Sequence, residues 1–580
     1  MSQTSPWYNF RLVWREMPCR RKVQFAALLA LTIFSTVAEV VSIGAILPFI
    51  AVLLDPQTVL AIPWVGAILT EAGLQDPVRL RVFFTLVFIT LAVLSAAVRM
   101  LYFWSTLRLC YAICSDFADR AFTRGLYRDY IDHARSHSSS LLVGLNIKIQ
   151  AVALGLLVPV TTLLGAVLLI TGILFALILV DPRVALVLLA CGLMIYSVVL
   201  LMTRSPLMRA SQALSENLTE MMRIMQVATG GLREILTDNS QEHFRTMFTE
   251  VERRLRRNQV KISFLGGAPR YVTEALFLVL MALIAFFVGA GEEDLAAALP
   301  VLAAFALGAQ KMLPAVQQVY QSYASIVGQT VNVRDAIALF SGQEAQTLRA
   351  TGQPLPFTST LELSDVGVRY NAEGQWALRS VDLSIRKGER IGVIGPTGSG
   401  KSSLVDLIMG LLAPDEGSIS VDGKIIADDE RADWRRQIAH VPQSVFLTDA
   451  TVSGNITFGL PHHTLDMDRV REAAKDAQIE TLLDKNAGER GIQLSGGQRQ
   501  RVGIARALYR AADIIVLDEA TSALDSATET RVMETIYALD GDLTLIMVAH
   551  RLSTLRDCDR IIVMEAGRIM RICSYEDLDI

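Results

Sequence analysis

Apolar positions gather into six long runs, at about 23–54, 80–104, 154–180, 183–203, 271–290 and 295–316. As a helix, each is long enough to cross a hydrocarbon core of about 30 Å. Beyond residue 357 no such run recurs, and short apolar strands alternate with helical segments, the pattern of an α/β domain. The polar stretches 105–150 and 204–262 keep a helical period, so the membrane helices are expected to run on into the cytoplasm. Each pair of extensions should meet at a short turn, with candidates at His133 to Ser140 and at Gly230 to Gln241. The expected architecture is multi-domain: an all-α, six-helix transmembrane part at 1–340, a linker at 341–358 and an α/β domain at 359–580.

Composition supports a membrane part, since 52% of the 580 residues are hydrophobic and only 19% are charged. The net charge of -4 gives no reason to expect a nucleic-acid partner. Its distribution is informative. Arg11, Arg15, Arg20, Arg21 and Lys22 precede the first run, and Arg253, Arg254, Arg256, Arg257 and Lys261 precede the fifth. The alternate connections, Asp55 to Pro77, Asp181-Pro182 and Gly291 to Asp294, are poor in cations, so both termini and the α/β domain are expected in the cytoplasm. The first run is too long for the core of a cleavable signal peptide and is expected to stay as a span. In the loop after it, Pro63 and the i, i+4 pairs Trp64/Ile68 and Val65/Leu69 suit an external interfacial helix within 62–74, or equally a packed re-entry of the loop. The six cysteines lack paired metal or redox spacing and read as reduced thiols, with no metal.

The chemistry begins at Gly395-Pro396-Thr397-Gly398-Ser399-Gly400-Lys401-Ser402, between a buried-strand pattern (390–394) and a helical one (402–412). Glycines there let backbone N–H groups curl around phosphates at a helix N-terminus, with Lys401 reaching the β- and γ-phosphates and Ser402 holding Mg²⁺. Ile514 to Glu519 is an apolar strand ending in two acids, suited to holding Mg²⁺ (Asp518) and polarising the attacking water (Glu519). Leu494-Ser495-Gly496-Gly497-Gln498 opens a second helix, either as a phosphate-receiving N-terminus or as an ordinary cap.

On these residues, the stretch from about 359 to 580 resembles the nucleotide-binding domain of the ABC transporter superfamily, a P-loop ATPase. The resemblance implies ATP and Mg²⁺ as cofactors, with Ser403 completing the phosphate loop. Tyr370 would stack on adenine, with Trp376 as the alternative. Gln443 would join Asp518 and Ser402 around Mg²⁺, and Glu519 and His550 would act at the γ-phosphate. Leu494 to Gln498 would be the signature and Ser522-Ala523-Leu524-Asp525 the D-loop. In the family these face the phosphate loop of a second copy, so one domain of each kind implies a half-transporter acting as a homodimer, with the two cytoplasmic turns as coupling elements.

The membrane part is similar to bacterial flippases of lipid-linked oligosaccharides at Ala38-Glu39, Gly44 to Ile50, Ala268-Pro269-Arg270 and Lys311 to Pro314. That resemblance implies an inner-membrane protein whose cavity cations Arg99, Arg270 and Lys311 meet the headgroup of an amphipathic, polyprenyl-pyrophosphate-linked substrate. Snorkelling of the two arginines and internal pairing of Glu39 are the structural alternatives. An exporter of hydrophobic drugs or other lipids, and an ATP-gated channel or sensor, remain the functional alternatives.

Overall fold

The longest helices of the N-terminal half outrun any bilayer. In the computed structural model, which describes residues 6–54, 56, 71, 76–135, 144–180, 182–291, 295–341, 354–370, 374–461, 465–521, 523–538, 542–549 and 551–578, α4 (Pro77–Leu126) has 50 residues. At 1.5 Å per residue that is about 75 Å, more than twice the hydrocarbon thickness. Before it come α1 (Pro6–Glu16), α2 (Cys19–Gly44) and α3 (Ile46–Leu54). The first apolar run is therefore two helices, because Pro48 has no N–H to offer the Gly44 carbonyl and the helix breaks there. The short α5 (Tyr130–Arg135) follows, and residues 57–70, 72–75 and 136–143 lie outside the described residues. With them go the external helix expected within 62–74 and most of the turn expected at 133–140.

The third span, α6 (Val158–Val180), has an irregular lead-in. Two π-helical turns, Gly144–Lys148 and Ala153–Leu157, flank the α-turn Ile149–Val152. Then come α7 (Pro182–Gly230), the short α8 (Leu232–Thr237), α9 (Gln241–Gly291), α10 (Leu295–Gly328) and α11 (Thr330–Phe340). The turn expected at 230–241 thus contains a one-and-a-half-turn helix, closed by Asn239 at φ 52°. Among the described residues, three helices are long and apolar enough to cross a membrane: Cys19–Ser42, Pro77–Leu126 and Gly144–Phe175.

A buried apolar cluster joins α1, α2, α4, the α6 lead-in and α11. Val13, Phe25, Ile113, Phe117, Leu157 and Phe340 are buried there, and Phe117 stacks on Phe340 with ring centroids 4.2 Å apart. Close approach depends on Gly155, where a Cβ would fall 2.5 Å from the Gln329 Cβ. Lys148 reaches Asp335 across the junction at 2.7 Å, and the Ser215 hydroxyl donates to the same carboxylate at 3.0 Å.

By its internal packing the chain divides into two units, residues 1–126 with 137–342 and residues 127–136 with 343–580. The second holds two sheets. One is antiparallel, in the order β2 (Trp376–Arg386), β1 (Thr360–Arg369), β4 (Glu416–Val421), β5 (Lys424–Ile425). The other runs β10 (Arg568–Cys573), β9 (Arg560–Glu565), β3 (Arg390–Ile394), β8 (Thr544–Val548), β7 (Ile514–Asp518), β6 (Ile438–Val441), parallel from β9 to β6. All of β8 is buried, as continuous apolar strands of a covered parallel sheet should be. Its longer helices are α12 (Lys401–Ile408), α13 (Met467–Asp476), α14 (Gly496–Arg510) and α15 (Ser526–Tyr537). Segment 127–136 belongs to this unit: Ile131 packs on its core, and Arg431, 11% exposed, lies 3.8 Å from Asp129.

Candidate nucleotide site

In a parallel sheet the carboxyl ends of the strands form the natural ligand crevice, and β3 delivers the glycine-rich loop there. Gly395 (φ 154°) and Gly400 (φ 100°) admit no side chain, since a Cβ would come within 2.2 Å of the Met564 carbonyl and 2.8 Å of the Ala377 carbonyl. Gly400 caps α12 without a side-chain bond, which leaves the first N–H groups of that helix pointing into the loop. Lys401 Nζ folds back and donates to the Gly395 and Pro396 carbonyls at 2.8 and 3.0 Å. The Ser399 hydroxyl is buried with no hydrogen-bond partner. An orphaned hydroxyl, unused helix N–H groups and an ammonium held by loop carbonyls together fit a polyphosphate.

Ser402 is exposed at the start of α12, and Ser403 is buried beside it, its hydroxyl 3.1 Å from that of Tyr370. Thr397 and Gly398 are exposed at the tip of the loop. Tyr370 therefore borders the loop. The Trp376 ring lies under the Arg369 guanidinium, 4.3 Å from its centroid, and against Gly367. Helix α12 ends at Ile408, short of the expected Leu412, because the chain turns left-handed at Gly410 (φ 66°).

Strand β7 ends at Asp518, and Glu519 turns away at φ 48° with its N–H bonded to the Val548 carbonyl at 3.0 Å. Gln443, just past β6, donates its amide to Glu519 Oε2 at 2.6 Å. Asp518 lies close enough to α12 to act on Asp406, whose carboxyl is pushed up to about 6, mainly by burial and secondly by the Asp518 charge. Gln500 joins the site without having been expected from any motif. From inside α14 it donates to the Glu519 carbonyl at 3.4 Å and accepts from the Ala523 N–H at 2.9 Å, tying the signature helix to the acid. The signal was a second glutamine two residues beyond Gln498. Ser522 and His550 lie outside the described residues.

Ser495 caps α14 reciprocally with Gln498: the Ser495 hydroxyl accepts from the Gln498 N–H at 3.2 Å, and the Gln498 side chain accepts from the Ser495 N–H at 2.9 Å. Leu494 is buried beneath, and Gly496 and Gly497 pack on Ala523. The N-terminus of α14 is thus a capping box with small residues on its outer turn. Asp525 caps α15, and its bond to Thr528 holds its carboxyl below the usual range.

Two of the three expected cavity cations carry partners. Arg99 on α4 meets Glu39 on α2 at 2.6 Å, and Arg270 meets Glu274 on α9 at 2.9 Å. Gln317 on α10 donates to the same Glu274 oxygen at 3.1 Å. Both arginine side chains remain more than half exposed. Lys311 lies on α10, its side chain outside the described residues. Arg99 and Arg270 are therefore each paired with a carboxylate.

A phosphate loop at the carboxyl edge of a parallel sheet, in one chain with helices longer than a bilayer, defines a membrane protein with a nucleotide-binding domain. Family comparison gives the particular kind. Residues 378–522 match the "ABC transporter" model and residues 25–294 the "ABC transporter transmembrane region" model. The chain is an ABC transporter with its transmembrane and ATP-binding regions fused.

Similar proteins include the ATP-dependent lipid A-core flippase of Ralstonia nicotianae, 42% identical over 226 residues, which are 38% of each chain. The protein of the same name from Methylobacillus flagellatus is 31% identical over 387 residues, 65% of each. The matches thus span less than two thirds of these relatives. The solved structure of a bacterial Atm1-family ABC exporter with ATP bound aligns over 96% of both chains with a TM-score of 0.77 at 21% identity, a likeness of fold.

Proposed function

We propose that this chain is one half of a homodimeric, ATP-driven exporter that flips an amphipathic lipid across the inner membrane. The observation that carries the ATPase reading is the 2.6 Å bond from Gln443 to Glu519 at the carboxyl edge of the sheet that bears the phosphate loop. Glu519 orients and polarises the attacking water, with His550 at the γ-phosphate. Lys401 exchanges its loop carbonyls for phosphate oxygens. Tyr370, at the border of the loop, offers its ring to adenine.

The hydroxyl, amide and carboxylate oxygens of Ser402, Gln443 and Asp518 are hard donors suited to Mg²⁺, which when bound neutralises phosphate charge. Residues 494–498 and Asp525 would close over the phosphate loop of the second copy, and the turns expected at 133–140 and 230–241 would pass that closure to the spans. Packing of 127–136 within the nucleotide-binding unit supports the first of these couplings.

For the cargo, the named relatives favour a lipid. A polyprenyl-pyrophosphate-linked oligosaccharide is the finer reading, in which its phosphates displace Glu39 from Arg99 and Glu274 from Arg270 while Lys311 adds a third charge. Exposed arginines in apolar helices support a polar passage, since each would cost about 2.5–3.5 kcal/mol or more against lipid.

The ATPase reading is tested on purified protein in nanodiscs. Glu519→Gln should lower Mg-ATP turnover about 10²-fold or more while nucleotide still binds. Unchanged turnover would defeat it.

A further inference from the structure

One carboxylate outside the site just described joins two of its moving parts. Glu529 sits in the first turn of α15, the helix that starts at Asp525, and its backbone N–H bonds to the Asp525 carbonyl at 2.9 Å. Its side chain is only 16% exposed. One oxygen accepts from the Thr554 hydroxyl at 3.2 Å, and the other lies 3.5 Å from Arg551 Nη1. Arg551 and Thr554 belong to the turn that leaves β8, the strand whose Val548 carbonyl holds the Glu519 N–H. Arg551, Thr554, Glu519 and Thr521 together line a cavity of about 120 Å³ behind the Glu519 backbone.

We propose that Glu529 is a positioning residue for ATP hydrolysis, clamping the turn that follows position 550 to the helix that begins at Asp525. This rests on the ATPase reading above. A displacement of Asp525 when two copies close is carried through the first turn of α15 to Arg551, and from there to the groups around Glu519. The clamp therefore sets where the hydrolytic groups stand without touching nucleotide. Its loss should slow turnover and leave nucleotide affinity in place.

The test uses the full chain in nanodiscs and reads kcat, KM for Mg-ATP and the unfolding midpoint. Glu529→Ala and Arg551→Ala should each lower kcat about tenfold with KM within about twofold, the signature of an interaction felt in the transition state. The double variant should be no slower than either single, because both remove the same link. Glu529→Gln, which keeps an acceptor for Thr554, should fall between wild type and Glu529→Ala at an unchanged midpoint.

Unchanged kcat, additive losses, or a loss that follows the unfolding midpoint would overturn the inference. A wild-type chain that hydrolyses no ATP would instead overturn the functional reading, and this inference with it.

Discussion

Glu519 occupies a backbone conformation (φ 48°) that costs a non-glycine residue about 1–3 kcal/mol. The surroundings hold it there: Val548 takes its N–H, Gln500 donates to its carbonyl and Gln443 donates to its carboxylate. Such strain fits a residue whose carboxylate must leave the line of β7 to face a substrate. His440, on β6, makes a separate prediction. Its Nε2 is buried without a partner, and burial holds the imidazole below its ordinary 6.5. The unfolded chain binds that proton more readily, so the stability due to neutral His440 is complete above pH 6.5 and is lost as pH falls through the lower native value. In the full chain, His440→Leu should therefore flatten the fall in unfolding midpoint between pH 7 and pH 5, and an unchanged pH profile would contradict the assignment. At this scale the sequence revealed the acids and the phosphate loop, because their order and spacing are local. It did not reveal the positive φ of Glu519 or the place of Gln500, which depend on strands and helices far apart in sequence.

Among the elements, legibility followed periodicity. The continuation of the membrane helices beyond the apolar runs was readable from an unbroken helical pattern, and β3 falls on the expected 390–394. Boundaries set by one backbone group were harder: the α2/α3 break at Pro48 and the early end of α12 at Gly410 each turn on a single N–H or a single φ. The π-turns before α6 were invisible, since they arise where Gly144 and Gly155 let that segment settle against α11 and its flank. That junction carries an ion pair whose lysine side chain is 12% exposed, Lys148 with Asp335. Asp335→Ala would leave the partly buried ammonium without its carboxylate, and because Asp335 is itself 31% exposed the loss should be about 1 kcal/mol rather than that of a fully buried pair. The membrane unit should then unfold at a lower temperature, while Arg334→Ala, whose side chain is over half exposed, should leave the midpoint in place. Equal midpoints for Asp335→Ala and wild type would show that the pair is not structural.

For the whole molecule, one chain joins an ATP-binding unit to membrane helices, and in the proposed function the first drives the second to move a lipid. Composition and six apolar runs made the membrane part plain, but they were silent on the pairing of its charges. Glu39 and Arg99 are 60 residues apart and meet only through packing of α2 on α4, whereas Arg270 and Glu274 are one helical turn apart and were adjacent in plain view. Under the proposed function, a headgroup would have to displace Glu39 from Arg99 and Glu274 from Arg270, so cargo selectivity is predicted to rest on multivalent phosphate rather than on bulk apolarity. The most direct measurement is flipping in proteoliposomes loaded with labelled polyprenyl-pyrophosphate-linked oligosaccharide or lipid A-core, scored by protection from an enzyme outside. ATP-dependent translocation of a phosphate-bearing lipid, lost in Glu519→Gln and in the triple variant Arg99→Ala/Arg270→Ala/Lys311→Ala while the latter still hydrolyses ATP, is the predicted result. Translocation that proceeds without ATP, or undiminished in Glu519→Gln, would contradict the account.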